Sequence, residues 1–241
     1  MILVTRPLPK LRKSVLAFER AGIDVVGVAT LDIIDVPSSA AALNTFFNHN
    51  HACVVMVTSV YAVSSAAQAL TQSSTLNSKP TVIAVGDATA RALTLALPMY
   101  EVVTPPLHSS EGIVAMHQLN EANCKQAVII KGEGGRDLIA KTLQQRAIQV
   151  ESFCVYKREQ LTPPIYTKTW KVDDVRGIIA TSENMAQQLI ETHDATLLSV
   201  PWLTVSERVA DVLHNKGISD VSLCHRATDN ALIAWIKENW E

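Results

Sequence analysis

Six short stretches carry the residue types that hold an anion. They are Thr5-Arg6, Thr58-Ser59, Gly86-Asp87-Ala88-Thr89, Lys131-Gly132-Glu133-Gly134-Gly135-Arg136, Thr181-Ser182 and Ser206-Glu207-Arg208. Each is small or hydroxylated, and each precedes a helical pattern. A helix start leaves backbone N–H groups without partners and places the positive end of the macrodipole there. Carboxylates and phosphates bind at such ends without net positive charge on the protein. Ser, Thr and Asp also cap helices in any protein, so singly each stretch reads as a cap. As matching sets they make a shared anion cleft a competing reading. Arg6 and Arg136 open corresponding helices and Arg208 lies one turn into another, and the guanidinium fork suits a carboxylate. For each arginine a solvated helix start remains an equal reading.

Other chemistries are absent or weak. The glycine-rich turn at Gly132–Arg136 lacks the GxxxxGK[ST] pattern of a phosphate loop. It also breaks GxGxxG, because Asp137 follows Arg136. Its backbone can still approach a ligand closely. No GxSxG and no triad order is present. Asp173-Asp174 read as solvated carboxylates. His49 and His51 are the one close histidine pair, and without HExxH or a Cys/His cluster no metal site is expected. Aromatic residues make up only 5%, so Tyr156 stands out. It ends a strand pattern and precedes Lys157-Arg158-Glu159. A phenol there could deliver a proton, or pack between domains.

The chain has 241 residues, 48% hydrophobic and 18% charged, with net charge −2. This is ample for one large or two small domains. It argues against a nucleic-acid partner. No apolar run of about 18 residues predicts a membrane span. The start, Met1-Ile2-Leu3-Val4-Thr5, enters a strand pattern with no signal-like region. Cys53, Cys124, Cys154 and Cys224 form no CxxC pair and read as reduced thiols in or near a cytoplasmic core.

The elements that must position these residues alternate. Strand patterns fall at Ile2–Thr5, Asp24–Val28, Cys53–Thr58, Thr81–Val85, Glu101–Val103, Ala127–Lys131, Gln149–Tyr156, Gly177–Thr181, Trp202–Val205 and Asp220–Cys224. Amphipathic stretches such as Arg136–Arg146 separate most of them, the pattern of parallel βα units. The apolar strands suit sheets covered on both faces. Three segment types recur in order at near-constant offset. Val4-Thr5-Arg6 returns as Ile130-Lys131-Gly132, Val57-Thr58-Ser59 as Ala180-Thr181-Ser182, and Val85-Gly86-Asp87 as Val205-Ser206-Glu207. This predicts a duplicated domain. The chain could split at its middle, or the first segment could join the C-terminal half. Extended stretches at Leu31–Ser38 and Val155–Pro164 favour the second partition as two linker strands.

Across nearly its whole length the chain resembles the uroporphyrinogen-III synthase family. The resemblance runs through Ile2–Pro7, Thr58-Ser59 with Ala62-Val63, Val85–Ala90 and Ser110-Glu111-Gly112. It continues through Lys131–Leu138, Val155–Arg158, Thr181-Ser182, Val205–Ala210 and Asp229–Leu232. It implies two similar flavodoxin-like, doubly wound parallel-sheet α/β domains with a ligand cleft between them. One would hold residues 1–34 and 160–241, the other 38–155, with linker strands at 35–37 and 156–159. It implies cofactor-free, metal-free closure of the linear tetrapyrrole hydroxymethylbilane, with inversion of the last ring through a spiro intermediate. Tyr156 would be catalytic. Arg6, Ser59, Thr89, Ser110, Gly132, Gly134, Arg136, Ser182, Ser206 and Arg208 would bind substrate, although the family often has threonine where this chain has Arg208. A cytoplasmic monomer without nucleic-acid or membrane partners, in transient contact with an upstream deaminase, completes the expectation. The rival reading is a non-enzymatic two-lobed binding protein for an anionic small molecule. A nucleotide-dependent transferase is disfavoured by the missing phosphate loop.

Overall fold

The computed structural model describes residues 1–73, 79–120, 122–135 and 137–240. In chain order the elements begin β1 (Ile2–Thr5), α1 (Leu8–Arg20), β2 (Val25–Asp35), α2 (Pro37–His49) and β3 (Val54–Val57). There follow α3 (Val63–Gln72), β4 (Thr81–Ala84), α4 (Asp87–Ala96), β5 (Val102–Val103) and α5 (Ser110–Val114). Next come β6 (Gln126–Gly132), α6 (Leu138–Gln145), β7 (Gln149–Tyr166) and β8 (Gly177–Ala180). The last are α7 (Glu183–His193), β9 (Trp202–Thr204), α8 (Glu207–Asn215), β10 (Val221–Leu223) and α9 (Asp229–Asn239).

The chain divides into two compact units, Met1–Ile33 with Glu159–Glu241, and Ile34–Arg158. It passes between them twice, near the C-terminal end of β2 and within β7. In the first unit the strand order is β2-β1-β8-β9-β10, all parallel. In the second it is β7-β6-β3-β4-β5, again parallel. Numbered along the chain, the first sheet has the flavodoxin order 2-1-3-4-5, and the second reads 5-4-1-2-3, the same arrangement entered by the chain at a different strand.

The local reasons are plain in the sequence. β1, β3 and β8 are short, apolar and wholly buried, as strands covered on both faces must be. In the first unit Ile2, Val4 and Ile179 pack on Val15 and Phe18 of α1 and on Leu232 and Ile236 of α9. On the other face Leu3, Val26 and Ile178 meet Leu189 of α7 and Leu213 of α8. In the second unit Val54, Met56 and Ile129 pack on Ile113 of α5 and on Ile139 and Leu143 of α6. Leu11, Val15 and Phe18 mark one stripe of α1 at helical spacing.

Three sequence expectations shift. The stretch Leu31–Ser38 is not extended throughout: β2 stops at Asp35 and Pro37 is the first residue of α2. Proline fits there because the first helical N–H has no partner to lose. The stretch Val155–Pro164 belongs to one strand of 18 residues, β7. The helix expected over Arg136–Arg146 runs from Leu138 to Gln145, and Arg136 itself lies outside the described residues.

Candidate functional site

In an open parallel sheet of this order, a crevice forms where neighbouring strands send their connections to opposite faces. In the second unit that point lies between β3 and β6, whose Val57 and Ile130 are in register. β6 leads to α6, which shares a core with α5, and β3 leads to α3. The strand ends there are Thr58-Ser59 and Lys131-Gly132. A pocket of about 220 Å³ opens at this place, lined by Ser59, Ser110, Lys131, Gly134, Tyr156 and Arg158 among others.

Tyr156 reaches the pocket through an irregularity in β7. Lys131 pairs with Cys154, but Gly132 pairs with Tyr156, so Val155 is an extra residue. Such a bulge re-aims the side chain beyond it. The ring then lies over Gly132. A Cβ at that glycine would stand 2.4 Å from Tyr156 Cζ and 2.8 Å from its hydroxyl oxygen. Only glycine leaves the phenol this space. The ring meets Tyr61 edge-on at 5.6 Å between centroids, and the Arg158 guanidinium lies 5.7 Å from its centroid. Tyr156 is 2% exposed, so the phenol is held tightly.

The turn after β6 is shaped by two left-handed residues, Gly134 (φ +74°) and Gly135 (φ +87°). Both line the pocket with nothing near a would-be Cβ, leaving backbone open to a ligand. Lys131 Nζ lies 3.1 Å from Asp137 Oδ1, with the lysine side chain 18% exposed and the aspartate facing solvent. Ser59 accepts a hydrogen bond from the Tyr61 N–H at 3.3 Å, capping the turn that leads into α3. Ser110 lines the pocket, but the cap of α5 is its neighbour Ser109, which accepts from the Gly112 N–H at 3.1 Å.

Thr89 takes a different place. It is buried in the first turn of α4, just after the N-cap position Gly86, and does not line this pocket. The sequence reading did not single out Lys131 or Arg158 as pocket cations. Arg158 was reachable, because residues two apart on a strand share a face and it stands two beyond Tyr156.

The first unit carries a corresponding edge between β1 and β8. Arg6 is only 6% exposed there. Its Nη2 lies 2.6 Å from Asp229 Oδ1, its Nε donates to Ser14 Oγ at 3.1 Å, and Nη2 also donates to the Ala227 carbonyl. Ser14 in turn donates to the same carboxylate. Arg6 therefore spends its fork inside the protein, tying the start of α1 to the start of α9. Ser182 accepts from the Met185 N–H and Ser206 from the Val209 N–H, so both act as caps of α7 and α8. Arg208 is open to solvent, with Nε 3.7 Å from Glu183 Oε2. Among the described residues no group of three His, Cys, Asp or Glu is placed to hold a metal, and no helix is long and apolar enough to cross a membrane.

The family model described as uroporphyrinogen-III synthase HemD matches residues 13–234. The uroporphyrinogen-III synthase of Escherichia coli K12 is 30% identical over 162 residues, 64% of this chain and 65% of that protein. The enzyme of the same name from Salmonella typhimurium LT2 is 29% identical over 163 residues, 64% and 65% of the two chains. The chain thus spans 65% of the length of these curated relatives. Among solved structures, a mutant uroporphyrinogen III synthase of the extremely thermophilic bacterium Thermus thermophilus has TM-score 0.60 at 15% identity, covering 98% of both chains. The uroporphyrinogen-III synthetase of Helicobacter pylori 26695 has TM-score 0.57 at 12% identity, covering 99% of both. These two likenesses bear on the fold alone. By the family match over residues 13–234, the chain belongs to the uroporphyrinogen-III synthase family.

Proposed function

We propose that this chain is a cofactor-free lyase that converts hydroxymethylbilane to uroporphyrinogen III in tetrapyrrole biosynthesis. The observation that carries the reading is a phenol fixed beside two cations at a sheet switch point, in a chain of the family named for this reaction. The substrate has a terminal hydroxymethyl group and eight carboxylates. Its hydroxyl leaves as water when protonated, giving an electrophilic azafulvene. The last pyrrole attacks through its substituted carbon to give a spiro intermediate. That intermediate fragments and recloses with the last ring inverted.

Closure without an enzyme gives the uninverted isomer, so the protein's task is to control conformation and to protonate the leaving group. In this reading Tyr156 gives the proton. Lys131 and Arg158, with the open backbone of Gly132 and Gly134, hold carboxylates against it. Ser59 and Ser110 mark further N–H-rich turns of the same pocket. The capped starts of α7 and α8, at Ser182 and Ser206, and the solvent-facing Arg208 offer a second set of carboxylate sites. Thr89 would act from behind, as a buried prop of the α4 start. Arg6 is an anchor of the fold here and not a carboxylate contact. The reading places the chain in the cytoplasm as a monomer receiving its unstable substrate from the upstream deaminase.

The test is a coupled assay. Hydroxymethylbilane is generated in situ with and without the protein, and the oxidised products are resolved into isomers I and III. We expect isomer III to appear in proportion to the protein added. Product that stays entirely isomer I with folded protein overturns the enzyme reading and favours a two-lobed binding protein.

A further inference from the structure

At the opposite end of the same sheet from the Tyr156 pocket, two cysteines far apart in sequence meet. Cys53 immediately precedes β3 and Cys124 closely precedes β6. The parallel pairing of β3 with β6 brings these strand starts together. The Cys53 N–H donates to the Gln126 carbonyl at 2.9 Å, and the Lys125 N–H donates to Cys53 Sγ at 3.3 Å. Cys124 Sγ donates to the same Gln126 carbonyl at 3.3 Å. Both sulfurs therefore hydrogen-bond the same short backbone segment, Lys125-Gln126, that leads into β6. Cys53 is exposed at the edge of the core, and Cys124 is buried.

We propose that Cys53 and Cys124 are a reversible dithiol–disulfide pair, a modification site oxidised by low-molecular-weight disulfides such as oxidised glutathione. The two members have unequal roles. Burial alone would raise the Cys53 thiol, but backbone hydrogen bonds at Gln126 and Lys125, with the neighbouring Cys124 thiol, outweigh it and draw it below the ordinary thiol range. An exposed thiol so lowered reacts first. The Cys124 thiol is pushed up to about 12, first by burial and then by the neighbouring Cys53 and the charge on its sulfur. The influence of Cys53 and its charge vanishes once Cys53 is capped.

The exchange balances in two steps. The Cys53 thiolate attacks one sulfur of the glutathione disulfide, forming a mixed disulfide and expelling one glutathione thiolate, which takes up a proton. Cys124 then loses its proton to solvent and its sulfur attacks the Cys53 sulfur. This forms the intrachain bond and expels the second glutathione. The two protein sulfurs are oxidised and the glutathione disulfide is reduced to two thiols. The bond closes the long loop between the starts of β3 and β6, and crosslinks of long loops remove most freedom from the unfolded chain. It lies away from the strand ends that carry Tyr156, so it is a staple of the second unit and works whatever the proposed reaction.

The experiment incubates the full-length chain with oxidised glutathione and follows intact mass and non-reducing peptide maps. We expect the loss of two hydrogens, one crosslinked peptide joining Cys53 to Cys124, recovery on reduction, and a raised urea midpoint for the oxidised form. Cys124→Ser should stop at a single glutathione adduct on Cys53, and Cys53→Ser should give neither product. A wild-type chain that keeps a stable adduct on Cys53, crosslinks a different pair, or stays unreacted while the unfolded chain reacts overturns the proposal. The wild-type map decides this by itself even where a serine variant does not fold.

Discussion

Tyr156 and Gly132 act as one unit, since the missing Cβ of the glycine is the space the phenol occupies. Removing only the hydroxyl should leave the ring packed on Tyr61 and change only proton delivery. Tyr156→Phe is therefore expected to lower kcat by roughly 10²-fold, the usual scale for a positioned acid, with KM changing little. Steady-state assay of the isomer III product checks this, and an unchanged kcat removes the proton role. Gly132→Ala tests the space itself. The added methyl would stand closer to the ring than any real contact, so Tyr156 must move. The variant should lose most turnover while its unfolding free energy, read from urea melts, falls by a modest amount, on the order of 1–3 kcal/mol of overpacking. Tyr156 was legible in the sequence because tyrosine is scarce here and ends a strand pattern. The bulge that aims it was not, because it depends on which residue of β6 each residue of β7 meets.

The elements were the most legible level. Ten apolar, β-branched runs stand out in the sequence and ten strands are present among the described residues, because buried parallel strands leave little room for polar residues. The helix starts were legible too, but their meaning was not. Arg6 had the type and position of an anion ligand, and only Asp229, distant in sequence, shows that its charge is satisfied. Nothing local to Thr5-Arg6-Pro7 carries that information. The pair is nearly buried on the arginine side, so removing the carboxylate strands a charge in the interior. Asp229→Ala should destabilise the protein by about 3 kcal/mol. Arg208→Ala, which breaks a long and exposed contact with Glu183, should cost about 1 kcal/mol or less. Urea unfolding of the two variants checks the contrast. Equal and small losses would return Arg6 to the set of available carboxylate ligands.

At the scale of the molecule, one strand order occurs twice, but the chain enters the two copies at different points. In the second unit the paired residues of all five strands lie within Ile34–Arg158, a single continuous segment with its own core around Met56, Ile129 and Leu143. In the first unit β1 and β2 come from the start of the chain and pair beside β8, so β1 sits between strands from both ends of the sequence. The segment Met1–Ile33 alone holds two strands and one helix, too little apolar surface to offset its ordering. Three outcomes follow for fragments. Ile34–Arg158 expressed alone should fold with a cooperative urea transition, since it keeps every residue of β7 that pairs with β6. Glu159–Glu241 alone should not fold, since its sheet lacks β1 and β2. Joining Ile33 to Glu159 through a short glycine-serine turn should restore it. The Thr167 N–H already donates to the Gly27 carbonyl, so the two cut ends leave this unit from neighbouring strands. Circular dichroism and urea melts of the three fragments decide the matter. A joined first unit that stays unfolded while the second folds would mean that the first copy depends on the second for stability and is not a domain of its own.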